Sequence, residues 1–156
     1  MSNQNTAWSP VPIRFIIGIG FIYHGAIKLF SGAGHEMFVR MLNDIGIPAA
    51  TVVSWLVGLV EFAGGIAILL GTFLSIASIV LIIDMLVAMF MVNLPNGFDV
   101  MNVTVMIEAG PTYGMPGFEI NLLYIAGLVS LLLTGAGNWS LDVFRSKSPE
   151  APVTES

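Results

Sequence analysis

Five ionisable side chains stand where an apolar environment should forbid them. His24 and Lys28 lie in one long apolar stretch, Glu61 in a second, Asp84 in a third, and Glu119 opens a fourth. A charge at the centre of a helix in hydrocarbon costs roughly 2.5 to 3.5 kcal/mol even on the forgiving insertion scale, so it is kept only against a partner inside a bundle. Residues of these types can exchange a proton, hydrogen-bond a carbonyl or form an ion pair. The five are therefore candidates for ligand binding or proton handling at an interior polar site.

The elements that must position them follow from hydropathy. Hydrophobic residues make up 56% of the 156 and charged residues 10%, against about 25% in a soluble domain. Mean hydropathy is +0.89. Val11 to Phe30 reads as a first span; it lacks the basic leader and small-residue cleavage site of a signal peptide and is expected to be retained. Ala49 to Leu70 and Phe73 to Val92, parted only by Gly71 and Thr72, read as a helical hairpin, each limb long enough for about 30 Å of hydrocarbon. Glu119 to Thr134 is the fourth span.

Between the first two spans, Met37, Met41 and Ile45 recur at helical spacing against polar Arg40, Asn43 and Asp44, which predicts an amphipathic connecting helix stopped by Gly46 and Pro48. The long connection from Asn93 to Phe118 carries Pro95, Gly97, Gly110, Pro111, Gly114, Pro116 and Gly117, a set that argues against helix and against a central strand. Its Phe98, Tyr113, Phe118 and methionines predict burial against the bundle mouth. The fold class is all-α: a polytopic membrane four-helix bundle with an amphipathic connecting helix and one long Gly/Pro-rich outer loop. Residues 1–10 are expected to form an N-terminal polar segment, 11–142 the four-helix transmembrane domain, and 143–156 a disordered cytoplasmic tail rich in Pro, Ser and Glu.

An even number of spans puts both termini on one side. Arg14, Arg145, Lys147 and the terminal amine lie there, against Lys28 and Arg40 on the other, which favours cytoplasmic termini. At 1.5 Å per residue, His24 falls about 5 Å and Lys28 about 11 Å to the outer side of the first span's middle. Glu61 is near the middle of its span, and Asp84 is about 3 Å outward of its own. His24, Glu61 and Asp84 thus share a layer, with Lys28 and Glu119 above it. The stripe Arg14, Gly18, Phe21, Gly25 and Lys28 faces a second stripe of Gly58, Glu61 and Gly65, and a third of Ala77, Leu81, Asp84 and Ala88. Small residues beside the acids permit close helix approach.

The bland assignments weigh against the sharp ones. Arg14 sits near a helix end and is expected to snorkel or to pair with Asp142 as a structural ion pair. Lys28 with Glu61 or Glu119 serves equally well as a packing pair that fixes helix register. Met85, Met89 and Met91 read as gap-filling core, and no metal site is expected.

Several chemistries are excluded or disfavoured. Without cysteine, this chain alone provides no disulfide exchange, thiolate metal site or iron–sulfur ligation. A net charge of −5 leaves no basic face for nucleic acid. Two histidines, with one in a span, argue against bis-His haem, and no GxGxxG follows a strand.

RFIIGIGFIYHGAIKLF, GLVEFAGGIAILLG and GPTYGMPGFEINLLYIAGLVSLLLTGAGNWSLD together resemble the DoxX family of small four-helix bacterial membrane proteins. The resemblance runs from about Arg14 to Asp142. It is carried by Arg14, by His24, Gly25 and Lys28, by Glu61, Gly64 and Gly65, by the run from Gly114 to Tyr124, and by Ser140 to Asp142. It implies a multi-pass protein of the bacterial inner membrane and an oxidoreductase subunit linked to quinol oxidases or thiosulfate:quinone oxidoreductases.

A quinone needs only an apolar slot with a His, Lys or acid to meet its carbonyls, so it is the ligand expected, with no intrinsic cofactor and with a redox partner protein carrying electrons. The missing cofactor motifs argue against autonomous catalysis. The competing expectations are a small-solute or proton-coupled transporter, and a structural or assembly subunit. The bilayer is a certain contact under each, and a homo-oligomer is compatible with all.

Overall fold

A computed structural model describes residues 8–107 and 110–146. Helix α1 (Pro10–Phe30) starts on its own prolines, which suit a first turn where the N–H has no partner anyway. It stops at Ser31, whose extended backbone breaks the helix and whose hydroxyl accepts from Gly34 N–H at 3.2 Å, capping α2 (Gly32–Asp44). The expected amphipathic helix is thus a separate element. Gly46, at φ 79°, turns the chain into α3 (Ala50–Leu70).

Gly71, at φ 65°, closes α3, and α4 (Leu74–Ala88) follows. α4 does not end cleanly: Met89–Asn93 forms a turn of π-helix and Leu94–Asn96 a 3₁₀ turn. α5 (Glu119–Thr134) and the short α6 (Leu141–Ser146) complete the chain. α1, α3 and the continuous run Leu74–Asn96 are long and apolar enough to cross a membrane. α5, with 16 residues, spans about 24 Å, less than the roughly 30 Å of a hydrocarbon core.

The four long helices close a ring in the order α1, α3, α4, α5, with α2 laid across α1 and α3. Glycines set the closest contact. A Cβ on Gly25 would stand 2.5 Å from Phe62 N, and one on Gly65 2.8 Å from Gly18 O, so α1 and α3 meet backbone to backbone. Ile17, Phe21, Ile68, Leu74, Ala77, Leu81, Leu128 and Leu131 fill the ring's centre. Phe21 meets Tyr124 edge-on, with centroids 5.1 Å apart, and ties α1 to α5.

The long connection departs from expectation. It holds an antiparallel pair, β1 (Val103–Ile107) and β2 (Gly110–Tyr113), with Val103 opposite Tyr113 and an irregularity between Val103 and Val105. Val103, Thr104 and Val105 favour a strand, and Thr104 and Thr112 bond hydroxyl to hydroxyl at 3.2 Å. Pro111 is tolerated because a two-stranded ribbon has only edges. Phe98 and Tyr113 are mostly exposed rather than buried in the bundle mouth, and Phe98 packs on Phe118. α6 occupies the start of the segment expected to be disordered; residues from 147 onward and residues 1–7 of the N-terminal polar segment lie outside the described residues.

Candidate functional site

The stripes predicted on α1 and α3 are the buried ones. Arg14, Gly18, Phe21 and Gly25 are buried on α1, and Gly58, Glu61 and Gly65 on α3. Continuing that α1 face brings Lys28 Nζ to 2.5 Å from Glu61 Oε2. The same ammonium reaches His24 O at 3.4 Å and sits 4.7 Å from the centroid of the Phe38 ring on α2. Glu61 is 5% exposed, so the pair is desolvated and each charge depends on the other.

Beside the pair lies a cavity of about 280 Å³. Most of its wall is apolar, with Phe38, Met41 and Leu42 contributed by α2, and Val53 and Val57 by α3. The polar wall consists of Lys28, Glu61, Asp84 and Asn93. Asp84 stands within electrostatic reach of both Glu61 and Lys28. Its Oδ2 is buried and has no hydrogen-bond partner among the described residues.

The π turn gives α4 its part in this wall. One extra residue per turn swings Met91, Val92 and Asn93 toward the cavity, beyond Val87 and Ala88 on the regular helix. Asn93 is buried and donates to Gly117 O at 3.2 Å, which fastens the long connection over this end of the bundle. Ile45, Met91 and Met115 line the cavity yet remain exposed, so they mark its rim.

Other expected residues fall elsewhere. His24 is exposed on the outside of the bundle, where its ring meets Tyr23 edge-on at 5.7 Å, and it does not line the cavity. Glu119 is half-buried at the start of α5 and also stays out of the wall. The expected pairing of Arg14 with Asp142 is replaced by a different arrangement. The guanidinium donates to Ile68 O at 3.0 Å, Leu69 O at 2.7 Å, Ala136 O at 2.7 Å and Trp139 O at 2.8 Å. These carbonyls come from the last turn of α3 and the segment after α5, where backbone acceptors lack helical partners and a cation is favoured. Asp142 accepts from Thr72 Oγ1 at 3.3 Å instead.

A model of the DoxX family matches residues 9–94, more than half of the chain. The chain belongs to the DoxX family. This DoxX protein is also 35% identical over 152 residues to an uncharacterized membrane protein of Mycobacterium tuberculosis, a match covering 92% of this chain and 85% of the relative. No solved structure matches it. With membrane-length helices and that kinship, it is an integral membrane protein in contact with lipid.

The DoxX bundle also holds polar groups that sequence reasoning did not single out. His35 Nδ1 lies 3.1 Å from both Lys28 O and Ser54 Oγ, and its ring stacks near Trp55 with centroids 4.5 Å apart, pinning α2 to α1 and α3. Asn121 on α5 is buried against Met85, and its Oδ1 lacks a partner among the described residues. Their signal was faint: Asn121 carries no charge to stand out in an apolar run, and His35 sits in a segment polar enough to read as surface.

Proposed function

We propose that this chain is a membrane subunit of a redox system that holds a quinone, or a similar apolar molecule with a polar ring, in the cavity between α1, α2, α3 and α4. The observation that carries the reading is the division of that cavity. Apolar side chains form most of its wall, and Lys28, Glu61, Asp84 and Asn93 gather on the rest. Ligand pockets of this kind use a few placed polar groups to orient an otherwise greasy molecule. A volume of about 280 Å³ suits a substituted ring, and the open rim at Ile45, Met91 and Met115 lets an isoprenoid tail continue into lipid.

The electron carrier belongs to a partner protein in this reading, since a chain without cysteine cannot ligate an iron–sulfur cluster. Exposed His24 supports such an assembly, because a polar ring on the outside of a span is satisfied by a second helix packing there. The bias of Lys and Arg supports termini on the cytoplasmic side of a bacterial membrane in this reading.

Purification in mild detergent, followed by organic extraction and mass spectrometry, tests the reading. A quinone recovered in stoichiometric proportion supports it. A folded bundle that extracts free of any such molecule favours a purely structural subunit and overturns it.

A further inference from the structure

The two halves of α2 are held differently. In the first half, His35 Nδ1 lies 3.1 Å from both Lys28 O and Ser54 Oγ, and the Phe38 ring centroid stands 4.7 Å from Lys28 Nζ, so polar contacts fasten this end to α1 and α3. The second half has no such fastening. Among the described residues, no side-chain hydrogen bond or ion pair joins residues 39–47 to another element, and Arg40 pairs only with Glu36 of its own helix. Leu42 is the residue of α2 that the bundle buries, and with Met41 and Ile45 it lines the cavity. This half therefore rests by apolar contact over a space of about 280 Å³.

The chain leaving α2 is bent by two left-handed residues. Gly46 holds φ 79° with nothing within 4 Å of where a Cβ would stand, and Ala49 holds φ 53° at the start of α3. An L side chain adopts that conformation at a cost, and backbone strain of this kind gathers in ligand clamps and switch segments. Ile45, Val87, Met91 and Met115 line the cavity and are exposed, and none carries a charge, so the rim suits lipid. Lifting the free end of α2 widens the cavity on that side.

We propose that residues 39–45 of α2 form a lid over the cavity: α2 tilts about the end fastened by His35 and Phe38, its free end lifts as Gly46 and Ala49 change conformation, and the ligand passes beneath it. This rests on the reading of the cavity as a quinone-class site. Burial of Leu42 holds the lid shut, and the strain at Ala49 favours its release.

The chain has no cysteine, so Ile45→Cys with Met91→Cys provides two thiols on the rim and no others. In one sample of the full-length protein in detergent, a bismaleimide with a disulfide in its spacer ties the lid to the π turn. In the other, N-ethylmaleimide caps both thiols and leaves the lid free. Amide hydrogen exchange without ligand is expected to be at least about tenfold slower at residues 42–46 in the tied protein, with residues 35–38 within about twofold of the capped protein. Release of decylubiquinone, loaded before tying, should slow at least about tenfold and recover when reductant cleaves the spacer.

Equal exchange at residues 42–46 in the tied and capped proteins would overturn the lid. Slowed exchange with unchanged release of the probe would also overturn it, because the moving segment would then not gate the cavity. Failure of decylubiquinone to bind the capped protein would end the quinone-class reading, and the exchange comparison would still decide whether the lid moves. Met115→Cys, also on the rim, replaces Met91→Cys if the π turn does not tolerate the change.

Discussion

Lys28 on α1 and Glu61 on α3 meet at 2.5 Å beneath the Phe38 ring of α2, so one ion pair joins two membrane-length helices to the helix that lies across them. Removing one partner leaves an uncompensated charge. Glu61→Ala or Lys28→Ala alone is expected to lower unfolding free energy by about 3 to 5 kcal/mol, and the double change to Lys28→Met with Glu61→Leu to recover most of it. Thermal or denaturant melts in detergent measure both. Glu61→Gln keeps an acceptor for Lys28 but not the charge, so it is expected to cost less stability than Glu61→Ala and to lose ligand retention, because the amide keeps the shape and gives up the proton site. Normal retention in a stable Glu61→Gln protein would end the case for Glu61 at the ligand.

Arg14 pins the opposite end of the bundle through carbonyls, not through a carboxylate. Arg14→Leu strands the carbonyls of Leu69, Ala136 and Trp139, leaves Ile68 O only its bond from Gly71 N–H, and is expected to cost at least about 3 kcal/mol. Asp142→Asn keeps an oxygen for Thr72 and should change stability by less than about 0.5 kcal/mol. An Asp142→Asn loss as large as that of Arg14→Leu would restore the ion pair expected from sequence.

The closeness of α1 and α3 gives a paired test on glycines. A Cβ at Gly25 would lie 2.5 Å from Phe62 N and 2.7 Å from Gly58 O, both backbone atoms that cannot turn aside. Gly25→Ala should therefore force the helices apart and lower the melting temperature. At Gly32, on α2, a Cβ meets nothing within 4 Å, and Gly32→Ala should be neutral or slightly stabilising. Equal effects at the two positions would argue against the α1–α3 packing.

His24 lies outside the cavity, so His24→Ala should leave ligand affinity within about twofold of the wild type. If a partner helix packs on that face, the same change weakens co-purification of the complex. A large loss of ligand affinity would return His24 to the site.

Helical periodicity made the α1 and α3 stripes and the Lys28–Glu61 pair legible, because burial on a helix repeats at i+3 and i+4 and small residues beside charges announce close packing. Depth alone misplaced His24. At 100° per residue it lies about 80° around the helix from the middle of the buried α1 stripe, a rotation that a ruler along the axis does not register.

Arg14's partners were hidden because carbonyl acceptors have no residue type to read. The ribbon Val103–Ile107 with Gly110–Tyr113 was masked by its glycines and prolines, which are compatible with edges though not with a central strand. The cavity was half visible. Glu61 and Asp84 marked it, while the apolar face of α2 that walls it looked only like an interfacial helix, and the π turn that brings Asn93 into it has no sequence signature.

Ligand retention in a blocked cavity tests the central claim most directly. Ala88→Trp places an indole in the wall beside Asp84 and leaves the Lys28–Glu61 pair intact. Wild-type and variant protein, purified in parallel and matched for folding by circular dichroism and melting temperature, would be extracted and weighed for quinone-class molecules by mass spectrometry. The expected result is a roughly stoichiometric ligand in the wild type and at least a tenfold reduction in the variant, as loss of a well-filled pocket entails. Equal amounts in the two proteins, or none in either, would contradict a ligand site in this cavity.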